Sequence, residues 1–249
     1  MNSKTYLYKL ESDKYLKFKT NEKTFYPTTT SNELINGFKK FQKFEKKIGE
    51  MLDLGCGVGI VGIVLNHLGL IQSPLYASDL SKNAIEFTKV NCNKHRCNVI
   101  AKQGSIFSPW ENKKFDYILN DISGVAEGVA SISPWFKNVP CESGADGTKL
   151  VTNVISNASK HLKSDGVLFF PVLSLSNADK ILTAAKKYFY QVKKLGRTEW
   201  PFPESMKKHE KILLNFANDK LIKIDEKFGM LLWYTEIYFA TNCKKKFKI

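Results

Sequence analysis

Arginine is nearly absent from this chain: of its 38 Lys and Arg residues, only Arg96 and Arg197 are arginine. The net charge of +14 would suit a polyanionic partner. Dedicated phosphate readers use the arginine fork, however, and scattered lysine beside abundant asparagine also fits AT-rich coding bias. Nucleic acid is therefore an alternative partner rather than the leading one. Cysteine is sparse too, with five residues and no CxxC pair. Cys92 and Cys97 are close, but nothing completes a zinc site, so no metal is expected and reduced, cytoplasmic thiols are the reading. No run of about 18 uncharged apolar residues occurs, which excludes a membrane-spanning helix. Met1 to Lys23 is polar and lysine-rich without an apolar segment, unlike a secretory signal. Internal repeats and low-complexity linkers are also missing.

What is present is a core: 43% of the 249 residues are hydrophobic, enough for one large domain with a small appendage. Residues 1–24 are charged with Tyr6, Leu7, Tyr15, Leu16 and Phe18 interspersed, which suggests a short hairpin or cap. Residues 25–249 form the main domain. Leu34, Ile35, Phe38, Phe41 and Phe44 recur at helical spacing behind Ser31 as N-cap. From Glu50 onward strand and helix alternate. Strands are expected at Met51–Leu54, Leu75–Ser78, Asn98–Lys102, Phe115–Leu119 and Gly166–Val172. Helices are expected at Ile60–Leu70, Lys82–Lys94, Thr148–Leu162 and Ala178–Tyr190, with a long loop after the fourth strand. This is an α/β pattern, a parallel sheet with helices on both faces. The end differs: Lys220–Asp225 and Met230–Ala240 are β-rich runs joined by Glu226-Lys227-Phe228-Gly229, and so short a link allows only antiparallel pairing.

Asp53-Leu54-Gly55-Cys56-Gly57-Val58-Gly59 joins the first strand to its helix. Glycine lets backbone approach a ligand, and the following helix offers free N–H groups. Nucleotide-binding proteins of several kinds share such loops. Asp79, after the second strand, can accept both hydroxyls of a ribose. Asp53 narrows the choice, because a carboxylate beside the loop suits an ammonium or sulfonium and repels a pyrophosphate.

With these residues in place, the loop resembles motif I of the class I S-adenosylmethionine-dependent methyltransferases. Ser78-Asp79-Leu80-Ser81 resembles their acidic ribose motif. Gln103-Gly104-Ser105-Ile106-Phe107 resembles the loop that holds adenine, although family members often carry Asp where this chain has Ser105. The resemblance covers roughly residues 25–175. It implies a Rossmann-like three-layer sandwich with an antiparallel C-terminal strand and S-adenosyl-L-methionine as cofactor. Its cofactor contacts would be Thr29, Asp53, Gly55, Cys56, Gly57, Gly59, Asp79, Leu80, Ser105, Ile106 and Asn120.

Tyr26-Pro27-Thr28-Thr29-Thr30-Ser31-Asn32-Glu33-Leu34-Ile35 resembles the segment preceding motif I in the small-domain methyltransferases, which include the HemK-like protein glutamine enzymes and several RNA base enzymes, and in which this segment lies over the cofactor. Glu142-Ser143-Gly144-Ala145-Asp146-Gly147 is similar to the GGxDG stretch of the HemK-like group. The departure lies at the end of the fourth strand. Those families carry Asn-Pro-Pro-Tyr there, whereas this chain reads Asn120-Asp121-Ile122-Ser123. Asn120 is expected to position the acceptor, and Asp121 to take its proton or pair with a cationic amine; Asp121 as a cap of the following loop stays open. Trp135, Phe136, Trp200 and Phe202 could ring an acceptor pocket or serve as packing anchors. Three functions follow. The first is methyl transfer to a protein side chain or small molecule. The second is methyl transfer to an RNA or DNA base. The third is binding through this fold without catalysis.

Overall fold

A computed structural model describes residues 4–243. An N-terminal hairpin pairs β1 (Lys4–Glu11) with β2 (Lys14–Thr20), and α1 (Thr29–Glu45) follows. Next come β3 (Met51–Leu54), α2 (Ile60–His67), β4 (Leu75–Asp79), α3 (Lys82–Lys94), β5 (Val99–Gln103) and β6 (Phe115–Asn120). Short α4 (Glu127–Ile132) precedes α5 (Lys149–His161), β7 (Leu162–Leu173), α6 (Ala178–Tyr188) and β8 (Phe189–Pro201). Then α7 (Glu204–Lys207), α8 (Glu210–Asn218), β9 (Asp225–Lys227) and β10 (Met230–Cys243) complete the described chain.

The main sheet runs β5-β4-β3-β6-β7-β10-β8, with β9 paired to β10. Strands β5 to β7 are parallel, and β10 is antiparallel to both β7 and β8. Side-chain alternation divides the sheet into two faces. Met51, Tyr117, Leu119, Phe169 and Ile237 pack beneath α1 and α2 with Leu34, Phe38, Phe41 and Ile63. Leu52, Ile118, Leu168 and Phe170 pack beneath α5 and α6 with Val154, Ile155 and Ile181. A third apolar cluster, around Val129, Leu175, Phe202, Met206, Leu213 and Trp233, gathers α4, α7 and α8 at one end of the sheet.

Several expectations need correction. The chain after α6 forms β8, where no strand was expected, and α6 ends at Tyr188. Strand β8 is an edge strand with mostly exposed side chains, so it carries no hydrophobic alternation; backbone pairing to β10 holds it. Lys220–Ile224 is not a strand, and pairing with β10 starts only at Asp225. The long loop after β6 contains α4. Ser31 does not cap α1, which starts at Thr29 behind Thr28. The earlier start leaves Ser31 within the first turn and its hydroxyl free for another partner.

Candidate active site

Strand parity puts two acids on one face. Asp53 of β3 lies opposite Leu119 of β6, so Asp121, two residues beyond Leu119, projects to the same α1–α2 side. Asp53 is fully buried, and its Oδ2 accepts the Gly62 N–H of α2 at 2.9 Å. Asp121 accepts a hydrogen bond from Ser31 Oγ at 2.6 Å. Burial holds both carboxyls near pH 7, up to about 7 for each, with the Asp121 charge adding to the rise at Asp53. At Asp79, burial outweighs three backbone hydrogen bonds and again raises the pKa.

The loop between β3 and α2 is built on positive φ at Gly55, Gly57 and Gly59. The Gly55 and Cys56 N–H groups bond to Ser78 O of β4, at 2.9 and 3.0 Å. A Cβ at Gly55 would lie 2.8 Å from Ile122, whereas one at Gly57 would meet nothing within 4 Å. Gly55 therefore serves close packing, and Gly57 faces open space. Asp79 Oδ2 accepts the Gly57 N–H at 2.9 Å and its Oδ1 accepts the Ser81 N–H at 2.8 Å, which ties the ribose-type acid to the loop. The Gly104 N–H bonds to Asp79 O, drawing the Ser105–Ile106 turn alongside.

These pieces wall a cavity of about 430 Å³ at the carboxyl ends of the parallel strands. Thr29, Gly55, Cys56, Gly57, Asp79, Leu80, Ser105, Ile106 and Asp121 all line it. Asp53, Gly59 and Asn120 do not. Asp53 is turned to α2, contrary to its expected contact with a bound cation. Gly59 starts α2 and would press a Cβ against Ile63 and Thr88. Asn120 falls on the α5 side of the sheet, fully buried, with its Oδ1 accepting the Ile122 N–H at 3.3 Å. Trp135 and Phe136, expected as possible pocket residues, do reach the wall, and so do residues not named as contacts: Lys23, Phe25, Ser31, Leu173 and Trp233. Ser31 was legible as a cap and as part of the segment before the glycine loop, and Trp233 only as a strand residue. Trp200 packs against Trp233, with ring centroids 4.9 Å apart, and Phe202 is buried; both are anchors behind the wall. The Gly144–Gly147 turn is structural: Asp146 accepts from Thr148 and pairs with Lys180 at 2.7 Å.

The two ends of β3 and β6 differ electrostatically. At their amino ends Glu50 and Asp116 are met by Lys47, Lys113 and Lys163. Burial works to raise both carboxyls there, but the lysines prevail and their pKa values fall. At the carboxyl ends, no ion pair among the described residues reaches Asp53, Asp79 or Asp121. Asp53 Oδ1, Ser78 Oγ and Asn120 Nδ2 are buried without hydrogen-bond partners. Such a site suits a ligand with positive charge, a ribose and polar groups of its own.

Comparison with known proteins agrees. Residues 31–121 match the family model described as methyltransferase small domain. A ribosomal protein uL3 glutamine methyltransferase of Bradyrhizobium diazoefficiens is 29% identical over 127 residues, 49% of this chain and 40% of that protein. A release factor glutamine methyltransferase of Aquifex aeolicus is 29% identical over 127 residues, 47% of this chain and 43% of that protein. The matches thus span under half the length of these relatives. Among solved structures, a 16S rRNA methyltransferase of T. thermophilus in complex with AdoMet and guanosine superposes with a TM-score of 0.61 at 13% identity, over 96% of this chain and 50% of that one. The fold is that of the class I, Rossmann-like methyltransferases.

Proposed function

We infer, from a methyltransferase small domain carried on a class I fold, that this chain is an S-adenosylmethionine-dependent methyltransferase acting on a protein side chain or a small molecule. The observation that carries the reading is the pair of carboxylates without an ion-pair partner, Asp79 after β4 and Asp121 after β6, in the wall of a cavity beside the glycine loop. Adenosylmethionine, when bound, supplies an electrophilic methyl group on a positively charged sulfur.

The chain's own residues do the rest. Asp79 accepts the ribose hydroxyls, held in place by the Gly57 and Ser81 N–H groups. Open space over Gly57 admits the ligand against backbone. Leu80, Ser105 and Ile106 flank the base. Lys23, the one lysine in the wall among the described residues, is placed to meet a carboxylate. Asp121, oriented by Ser31, faces the acceptor and receives its proton. Alignment is the main requirement of methyl transfer from a sulfonium, and the aromatic wall supplies it by excluding water.

An RNA acceptor is the second reading. The net charge of +14 favours it, as does the likeness to an rRNA methyltransferase fold. One experiment separates the two. The chain is incubated with methyl-labelled adenosylmethionine and a cell extract, which is then split into protein, nucleic acid and small molecules. Label in protein or small molecules is the expected result. Label in nucleic acid would establish the second reading, and label in none would remove both.

A further inference from the structure

The acceptor half of the cavity differs from the donor half in chemistry. Beyond the carboxyl ends of β6 and β7 its wall is aromatic and apolar, drawn from separate parts of the chain: Phe25 before α1, Trp135 and Phe136 after α4, Leu173 of β7 and Trp233 of β10. These rings brace one another. Phe25 and Phe136 have centroids 5.2 Å apart, and Trp135 and Trp233 are 5.3 Å apart. The register places this wall next to Asp121. Leu119 pairs with Phe169, so Asp121 lies level with Pro171, itself in the wall, and Leu173 is two residues further along β7. Leu173 pairs with Thr235, which brings Trp233 beyond it.

We propose that the methyl acceptor is an alkyl amine on an apolar stem, entering as its ammonium between Phe25, Phe136 and Trp233 and ending at the Asp121 carboxylate. This rests on the methyltransferase reading and names its substrate class. Aromatic faces attract a cation, most strongly where water is excluded, and the half-buried Asp121 carboxylate lines the same cavity with no ion-pair partner among the described residues, so a cation is its favoured ligand. A neutral carboxamide or nucleobase amine needs paired neutral acceptors instead. Asn120 does not offer one, being outside the wall with its oxygen engaged by Ile122. A carboxylate acceptor would be repelled by Asp121.

The step balances. Asp121 takes one proton from the ammonium. The freed lone pair forms an N–C bond to the methyl group as the C–S bond breaks, and that bond's electron pair stays on sulfur as a thioether. The methylated nitrogen keeps one positive charge, and the proton on Asp121 leaves to solvent.

The test uses the full chain, methyl-labelled adenosylmethionine and one cell extract in two halves, one half first treated with an N-hydroxysuccinimide ester of acetate to convert amines to amides. Label should enter the untreated half and fall about tenfold or more in the acetylated half. It should also survive acid hydrolysis as a non-volatile methylated amine. Dialysis then tells a protein amine from a small one. Label that persists after acetylation, or that leaves as volatile methylamine on hydrolysis, overturns the proposal, as does label in neither half. Calorimetric titration with adenosylmethionine alone keeps the underlying reading separate: absence of binding removes the donor site itself, whereas binding with persistent label removes only the amine. With the labelled amine in hand, Phe136→Leu should raise its KM about three- to thirtyfold, the range of a desolvated cation–π contact, with adenosylmethionine binding unchanged. An unchanged KM would contradict the aromatic cage.

Discussion

Asp121 and Asp116 are the same residue type at opposite ends of one strand, and their surroundings drive them apart. Asp116 is held ionised by Lys47 and Lys163, whereas Asp121 has a serine hydroxyl and no cation within its ion-pairing reach. A carboxyl raised to about 7 in the fold, against about 4 when unfolded, binds more protons folded than unfolded between those values. The ligand-free chain should therefore lose stability as pH rises from about 4 to 7. A cationic ligand reverses the sign, because its binding favours the carboxylate and expels the proton. Affinity for adenosylmethionine should rise between pH 6 and 7, by up to about tenfold per group, and level off above. Calorimetry across that range checks it; affinity that is flat or falls with pH would contradict the role of Asp121. Asp121→Asn should cut turnover about 100-fold or more, the scale of general-base loss, with the fold intact. Turnover near that of the parent would leave Asp121 as the structural cap that the sequence equally allowed. Part of this was legible beforehand: Asp79, Gly57 and Asp121, singled out by motif spacing, line one cavity. Trp135 and Phe136 were legible as possible pocket residues, but the bond from Ser31 to Asp121 and the parts played by Phe25 and Trp233 were not, because they depend on the pairing of β7 with β10 and the seating of α1 over β6.

Among the elements, the glycine loop and the C-terminal strands make different demands. Gly55 is confined both by φ and by Ile122, so Gly55→Ala should destabilise the fold by about 1–3 kcal/mol, as strain and overpacking do. Gly57 has only its φ of +54 to satisfy, so Gly57→Ala should cost about 1 kcal/mol while weakening adenosylmethionine binding. Thermal denaturation paired with titration separates the two; equal loss of stability would contradict their division of labour. At the other edge, Arg197 joins Glu199 of β8, Asp225 of β9 and Glu236 of β10, and its guanidinium stacks 3.6 Å over Tyr234. Glu236 is nearly buried, so Arg197→Ala should cost about 2 kcal/mol through a weakened buried carboxylate. That would lower Tm by about 4–8 °C for a chain of this size. An unchanged Tm would make the cluster ornamental. The central parallel strands β3 and β6 were readable from their apolar runs because both faces are covered. Strand β8 was not, since an edge strand with one exposed side has little hydrophobic pattern to read.

At the scale of the whole molecule, the sheet order brings four distant stretches, before α1, after β3, after β6 and within β10, around one cavity. Each alone reads as a turn, a cap or core packing; their convergence is a property of topology. The lysine excess is spread around this frame. Should RNA be the partner, binding would weaken steeply with added salt, and salt-independent binding would speak for a neutral or cationic acceptor. No helix among the described residues is long and apolar enough to cross a membrane. The central claim is that the carboxylate-rich cavity beside Gly57 holds a methyl donor. It is tested most directly by calorimetric titration of adenosylmethionine into the chain at pH 8, beside the Asp79→Ala variant. The account predicts one saturable site per chain in the parent and affinity at least about tenfold weaker in the variant, the loss expected for a hydrogen bond to a charged group. No binding in the parent, or equal binding in both, would contradict it.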